Sequence, residues 1–229
     1  MESAPEAVAF DLDGTLYPNY RLNIRLVPFA LRELPLLVAF GRARDRLRGG
    51  EGPDARILPG EDFYAAQARL VAAALKAPDP RRLQDRIERL IYRGWEAHFR
   101  RIRLYPHVRE TLDRLRRAGL RLALLSDFPP EQKLRNLGLD GIWDLVLCSE
   151  AVGALKPAAL PFAELVRGLG LPPGRILYVG NSVSYDIRGA KAAGLRAALV
   201  SPLRKSLNSA GGADFCFYDY RKLAQYVLG

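Results

Sequence analysis

The sequence predicts an α/β protein, a Rossmann-like parallel sheet with helices on both faces plus an inserted all-helical cap, and three observations predict it. From Arg103 onward, short apolar runs alternate with helical patterns over short connections. Those runs are nearly continuous rather than alternating, as strands buried on both faces require. Between Tyr17 and Tyr105 the apolar positions instead recur at helical spacing, with no strand-like run among them.

The first strand is expected at Ala7 to Leu12 (AVAFDL), and the helical insertion begins directly after it. A Gly and Pro cluster from Gly49 to Pro59 (GGEGPDARILP) reads as a loop between the insertion's two halves. Further strands are expected at Leu120 to Ser126, Leu145 to Cys148, Arg175 to Gly180, Arg196 to Val200 and Phe215 to Tyr218. Helices are expected near His107 to Ala118, Pro130 to Leu137, Ala158 to Gly168, Tyr185 to Ala193 and Tyr220 to Val227. The division that follows is a core of residues 1–16 and 106–229 and a helical cap of residues 17–105. Ligands bind at the carboxyl ends of parallel strands, so an insertion leaving from that edge sits over the site as a lid.

With 229 residues, 49% of them hydrophobic, the chain can bury a sizeable core without disulfides. Its two cysteines, Cys148 and Cys216, fall in strand-like runs outside any CxxC pair and read as buried reduced thiols suited to a reducing compartment. The N-terminus carries acids rather than a basic segment before an apolar one, so no secretory signal is expected. The most apolar stretch, Leu26 to Phe40, contains Arg32, Glu33, Pro28 and Pro35 and falls short of a membrane span. A cytoplasmic protein with no membrane partner is the expectation. That same stretch needs an apolar partner, either the second half of the cap or a second copy, so the chain is expected to be a monomer or homodimer.

The net charge of +10 is concentrated in the insertion, where 17 Arg and one Lys face 10 acids. A basic field of this kind raises the local concentration of anionic substrates. Nucleic acid is a rival partner, but RNP, KH, zinc-finger and helix-turn-helix signatures are absent, and basic residues interleaved with acids read as solvated helix faces. The field favours anionic substrates, a small phosphorylated metabolite among them, over nucleic acid.

The sharpest motif is FDLDGTLY, Phe10 to Tyr17, an apolar strand ending in two carboxylates. Alternate residues of a strand share a face, so Asp11 and Asp13 can project into one cleft, while Gly14 gives the chain freedom to turn away. Like charges this close call for compensation. A divalent cation supplies it, and hard oxygen ligands favour Mg²⁺. Read alone, the motif is also compatible with a plain Asp–Gly turn.

Three further segments change that balance: LALLSDF ending at Phe128, GALKP containing Lys156, and YVGNSVSYDIRGAKAAG beginning at Tyr178. With these in order after FDLDGTLY, the chain resembles the haloacid dehalogenase superfamily, specifically its phosphatases with a helical cap inserted after the nucleophile motif. The resemblance implies a nucleophile and metal ligand at Asp11. It implies an acid–base residue at Asp13 that also ligates the metal through its main-chain carbonyl. Phosphate binding would fall to Ser126, Asp127, Gly14, Thr15 and Lys156, with Lys156 offsetting accumulated negative charge and the backbone around Ser126 donating to phosphoryl oxygens. The metal set would be Asp11, Asp13, Asn181 and Asp186, holding Mg²⁺. Asn181 departs from the pattern, which has an acid there; its amide oxygen can coordinate but brings no charge.

The superfamily's dehalogenases lack a carboxylate two residues after the nucleophile, so Asp13 points to phosphate esters. A phosphomutase would share the core and differ in the cap, and a non-catalytic binding protein would keep the fold without turnover. His98 and His107 match no catalytic position of the family, and His107 reads as a residue at a helix start. Tyr17, Asn19, Tyr20 and Arg21 follow the nucleophile closely enough to approach a ligand. The cap aromatics Phe29, Phe40, Phe63, Tyr64, Tyr92, Trp95 and Phe99 read mainly as core, with one or two lining the pocket.

Overall fold

A computed structural model of the chain describes residues 4–49, 56–95, 99, 101–201 and 211–229. Six parallel strands form one sheet in the order β3-β2-β1-β4-β5-β6. They are β1 (Ala7–Phe10), β2 (Arg121–Ser126), β3 (Leu145–Cys148), β4 (Ile176–Gly180), β5 (Arg196–Val200) and β6 (Phe215–Phe217). All four residues of β1 are buried, because it lies between β2 and β4 with Ala7 in register with both Arg121 and Ile176. The chain winds outward from β1 through β2 to β3 and then returns to place β4 on the other side of β1. The β1–β4 seam is thus the switch point at which α/β sheets bind ligands.

Among the described residues, the segment after β1 carries helices joined by turns and irregular connections, and no strand. Helices α1 (Asn19–Arg32), α2 (Leu34–Gly49), α3 (Phe63–Leu75) and α4 (Pro80–Ile87) follow one another, and a π-helical turn at Glu88–Tyr92 prolongs α4. Local chemistry fixes several starts. Asp62 caps α3 by accepting from the Ala65 N–H at 2.7 Å, while Asp79 caps α4 ahead of Pro80 at its first turn. Leu36, Phe40, Val71, Leu83, Ile87 and Ile91 form a hydrophobic cluster of their own, into which Phe128 from the loop after β2 is packed.

The remaining helices cover the sheet: α5 (Val108–Arg117), α6 (Glu131–Leu137), α7 (Ser149–Val152), α8 (Ala159–Leu169), α9 (Arg188–Ala192) and α10 (Tyr220–Leu228). One buried cluster, including Phe10, Leu112, Leu124 and Leu223, lies on one face of the sheet; a second, including Ala9, Leu125, Phe162 and Tyr178, lies on the other. Successive β1 residues divide between the two, as a strand buried on both faces requires.

Several expectations are refined. The first strand stops at Phe10, two residues short, because the N–H groups of Thr15 and Leu16 both turn back onto the Leu12 carbonyl. The helix expected from Tyr185 starts instead with a π-helical turn at Val183–Ile187, held by the Ser182 side chain, which accepts from the Tyr185 N–H at 3.2 Å. Of the loop expected at Gly49 to Pro59, residues 50–55 lie outside the described residues, as does His98. Cys148 and Cys216 lie in strands but are half-buried, since both belong to the outer strands β3 and β6. Leu26, Leu36 and Phe40 are buried, whereas Val27, Leu31, Leu34 and Val38 stay exposed, so the apolar stretch is covered on one side only. His107 precedes α5 in a left-handed conformation, its Nδ1 3.1 Å from Glu110. Among the described residues no helix is long and apolar enough to cross a membrane.

Candidate active site

Asp11 leaves the end of β1 with its N–H bonded to the Val179 carbonyl of β4 at 2.9 Å, so its side chain is delivered to the switch point by the sheet itself. One carboxylate oxygen accepts from Lys156 Nζ at 2.7 Å and the other from Thr15 Oγ1 at 2.7 Å. Burial pushes the Asp11 carboxyl up to about 7; Lys156 pulls it down, while Asp186 and Asp13 raise it further.

Lys156 lies 145 residues from Asp11 in the chain and is 3% exposed at its side chain. Its ammonium also donates to Asp186 Oδ1 at 2.7 Å and to the Tyr178 hydroxyl at 3.1 Å. Burial works to lower this ammonium's pKa, yet Asp11 and Asp186 hold it well above its ordinary value. The other Asp186 oxygen accepts from the N–H groups of Asn181 and Ser182 at 3.1 and 3.0 Å, which fixes the loop after β4. Gly180 makes that loop possible: a Cβ there would lie 2.3 Å from the Asp186 Cβ.

Asn181 is close to the nucleophile motif as well, its Oδ1 accepting from Thr15 Oγ1 at 3.2 Å. Gly14 has φ +89°, and a Cβ on it would lie 2.5 Å from Asn181 Nδ2. A side chain at Gly14 therefore conflicts with both the backbone and the loop that carries Asn181.

Asp13 faces another set of groups. Lys133 of α6 places its ammonium 2.7 Å from both Asp13 oxygens, and the Tyr17 hydroxyl donates a short hydrogen bond to one of them. Tyr17 is itself fully buried, edge-on to Phe99. Ser126 ends β2, completely buried, its hydroxyl accepting from the Phe128 N–H at 3.2 Å. Asp127 accepts from the Lys156 N–H at 3.1 Å and from Arg48 of α2 at 3.1 Å. Its carboxylate thus fixes the Lys156 loop and an arginine of the insertion. Arg48 also donates to the Lys156 carbonyl at 2.9 Å and lies over the Tyr185 ring.

Thus Asp11, Thr15, Lys156, Asn181 and Asp186 converge at the β1–β4 seam, with Gly14 against Asn181. Ser126 and Asp127 lie on the β2 side, and Asp13 is turned towards α6. Tyr20 and Arg21 are exposed, so of the four residues after the nucleophile only Tyr17 and Asn19 meet the motif. Pro157 lies in the turn before α8, with Ala158 between them at φ −52° and ψ 149°. Lys133, Arg48 and Tyr178 escape sequence reading. An amphipathic helix carries many basic residues, and only the fold shows which of them turns inward.

The donor chemistry suits Mg²⁺. Asp11 and Asp186 share one ammonium, 2.7 Å from each, so two buried carboxylates face a single side-chain cation. Among the described residues no three acidic, histidine or cysteine side chains converge on a point. The side-chain donors available are therefore two carboxylates and the Asn181 amide oxygen, a hard-oxygen set.

The insertion is tied to this region by charge. Arg44 of α2 forms a buried ion pair with Glu150 of α7, and the Tyr92 hydroxyl donates to the same glutamate at 2.9 Å. Tyr64, Tyr92, Trp95 and Phe99, more aromatics than expected, line a 760 Å³ cavity between the insertion and residues 128–135, the end of the loop after β2 and the start of α6.

Known proteins resemble this chain over most of its length. The chain is 29% identical over 213 residues to a ribulose-1,5-bisphosphate 5-phosphatase of Halopiger xanaduensis, covering 87% of this chain and 86% of that one. It is 31% identical over 208 residues to a phosphoglycolate phosphatase of Mannheimia succiniciproducens, covering 86% of each. Among solved structures, an HAD phosphatase from Thermococcus onnurineus superposes with a TM-score of 0.63 at 25% identity, covering 98% of both chains. A 2-haloacid dehalogenase from Pseudomonas syringae shares the fold with a TM-score of 0.68 at 24% identity, over 96% of this chain and 97% of that one. Residues 5–194, and with them every residue of the seam described above, match the haloacid dehalogenase-like hydrolase family, to which this chain belongs.

Proposed function

We propose that the protein is a Mg²⁺-dependent phosphatase that hydrolyses a small phosphate monoester through a phosphorylated Asp11, with residues 17–105 acting as its cap. The observation that carries this reading is Lys156 Nζ, 2.7 Å from both Asp11 and Asp186, beside a second carboxylate, Asp13, held by a different lysine. Two carboxylates in different surroundings can take two roles.

In the first step an Asp11 oxygen attacks phosphorus, the bond to the ester oxygen breaks, and Asp13 gives that oxygen a proton. In the second, Asp13 takes a proton from water, the water oxygen attacks phosphorus, and the acyl-phosphate bond breaks to release inorganic phosphate and Asp11. Lys156 offsets charge on Asp11 and on the phosphoryl group throughout, and Ser126 with the backbone after it supplies donors. Asp11, Asp186, the Asp13 main-chain carbonyl and the Asn181 side chain would hold Mg²⁺, whose chemistry is to neutralise phosphoryl oxygens. Asp13 favours this reading over dehalogenation, because an alkoxide leaving group needs a proton and a halide does not. The named phosphatases among the relatives support the same substrate class.

The test is phosphate release from p-nitrophenyl phosphate and a panel of phosphorylated metabolites, with Mg²⁺ and with chelator, by wild type and Asp11→Asn. Activity that needs Mg²⁺ and vanishes in the variant, together with a mass increase of one phosphoryl group on the Asp11 peptide after acid quench, is the expected result. Equal release by the two proteins would overturn the assignment.

A further inference from the structure

We infer that the exposed face of α1 and α2 is a docking surface for an anionic lipid bilayer, on which the protein lies without crossing it. The inference goes beyond the phosphatase reading and does not depend on it. The expectation of no membrane partner came from the lack of a spanning segment, and among the described residues no helix can span. A surface contact needs no span: a helix lies in the plane of an interface when one face is apolar and cations border it.

The apolar part of the surface is a row. Tyr20, Ile24, Val27 and Leu31 of α1, with Leu34 and Val38 of α2, are 43–77% exposed, and their spacing alternates between four and three residues. At 3.6 residues per turn, the four of α1 fall within about 60° of one another, opposite the buried Leu22 and Leu26. Single scattered exposures are ordinary, whereas a continuous row of this kind marks a contact surface. It is the uncovered side of a stretch whose other side is packed into two hydrophobic clusters.

The border of the row is cationic. Arg21, Arg25 and Arg32 fall within about 40° of one another along one edge of α1, a helix that contains no acid. Arg21 and Arg25 join Arg101 and Arg103, from the segment that leads back to the sheet, around an open cavity of 760 Å³ lined otherwise by Ile24 and Ile102. Glu33, the one acid between Tyr20 and Val38, is held by Arg86 at 2.6 Å. Guanidinium groups with no acid beside them, next to an apolar row, fit a partner that is both anionic and apolar. A second copy of the chain brings the same arginines to the contact and no acid to match them. A peptide helix seats in a groove, whereas this row stands exposed along a ridge. A bilayer offers anionic headgroups above an apolar interior, and Tyr20, at the arginine end, suits the level between them.

Vesicle sedimentation of the full chain tests this, with phosphatidylcholine alone and with phosphatidylcholine containing about one-third phosphatidylglycerol. Wild type should bind the anionic vesicles at least about 10-fold more tightly than the neutral ones, and lose most of that binding at about 0.5 M salt. Ile24→Asn/Leu31→Asn should weaken binding to the anionic vesicles about 10-fold or more, and Arg25→Gln/Arg103→Gln by a similar factor. Arg116→Gln/Arg117→Gln, on α5 and outside the cluster, should leave it unchanged. Ile24 and Leu31 are exposed, so their variant should melt with wild type, and its loss of binding reports the surface rather than the fold. No binding, equal binding to neutral vesicles, or an equal loss in the α5 variant would overturn the assignment. So would binding indifferent to Ile24→Asn/Leu31→Asn, which is adsorption of a basic chain by charge alone. A wild-type dimer that Leu31→Asn dissociates, in a protein that leaves vesicles unbound, would give the row to a second copy instead. None of the substituted residues belongs to the seam, so each of these outcomes leaves the phosphatase reading to its own test.

Discussion

Arg44 and Glu150, 106 residues apart in the chain, form an ion pair buried between α2 of the insertion and α7 beside the sheet. Arg44 Nη2 and Glu150 Oε2 have no hydrogen-bond partner among the described residues, and the neutral Tyr92 and Gln67 side chains that touch the pair bring no charge, so each ion relies on the other for charge compensation. Removing one partner leaves a buried charge, which costs about 3–5 kcal/mol; replacing both by apolar groups costs far less. Thermal or denaturant unfolding of Arg44→Met, Glu150→Leu and the double variant should therefore show the double as more stable than the sum of the singles implies. Additive losses would mean that the pair carries no coupling.

The same pair predicts a pH dependence. Burial raises the Glu150 carboxyl above 4.5, with Arg44 acting against it. A group raised on folding contributes stability that is complete below its unfolded value and is lost as pH rises through the folded value. Removing Arg44 raises Glu150 further. The cost of Arg44→Met should therefore be smallest near pH 4.5 and grow towards pH 8, as measured by denaturant midpoints across that range. A constant cost would show that Glu150 does not titrate differently in the variant.

Lys156 is the shared partner of Asp11 and Asp186, so Lys156→Met leaves two buried carboxylates facing each other. Loss of several kcal/mol of stability is expected, together with a fall in phosphate release of at least about 10³-fold. Lys156→Arg should recover part of the stability without the activity, because a planar guanidinium does not reproduce a point charge. Equal activity in the arginine variant would argue against a fitted ammonium site.

Asn181→Asp adds a formal charge to a loop already bonded to Thr15 and Asp186. The Mg²⁺ concentration for half-maximal phosphate release should fall. An unchanged titration would mean that position 181 is not a ligand.

Gly14→Ala tests the approach of the two loops. With φ +89° and Asn181 Nδ2 2.5 Å from the added carbon, it should cost about 1–2 kcal/mol in unfolding and lower kcat by displacing Asn181. An active variant with unaltered melting would show that the motif tolerates a side chain there.

How far the sequence could be read follows a physical division. The inner strands β1, β2, β4 and β5 were legible because a strand buried on both faces has to be largely apolar, and the outer strands β3 and β6, only partly buried, still fall within apolar runs visible in the sequence. Asp11 was legible because it ends an apolar strand in a two-carboxylate motif, whereas Thr15, Lys156, Asn181 and Asp186 were legible only through the resemblance of their short motifs to a known family. The limits of β1 and of the helix after β4 depended on single hydrogen bonds at Leu12 and Ser182, which composition does not encode.

What only the tertiary structure decided is which charged side chains turn inward. Arg44, Arg48 and Lys133 look in the sequence like the other basic residues of exposed helices; here they are buried or half-buried against Glu150, Asp127 and Asp13. The sequence determined the strands, the parallel sheet and the order of the motifs along the chain, while the strand order that makes the β1–β4 seam came with the tertiary structure. The partners of those cations, and the aromatic cavity lined by Phe128 and Lys133, arise from distant segments brought together, because a charge is satisfied by what lies nearest in space rather than along the chain.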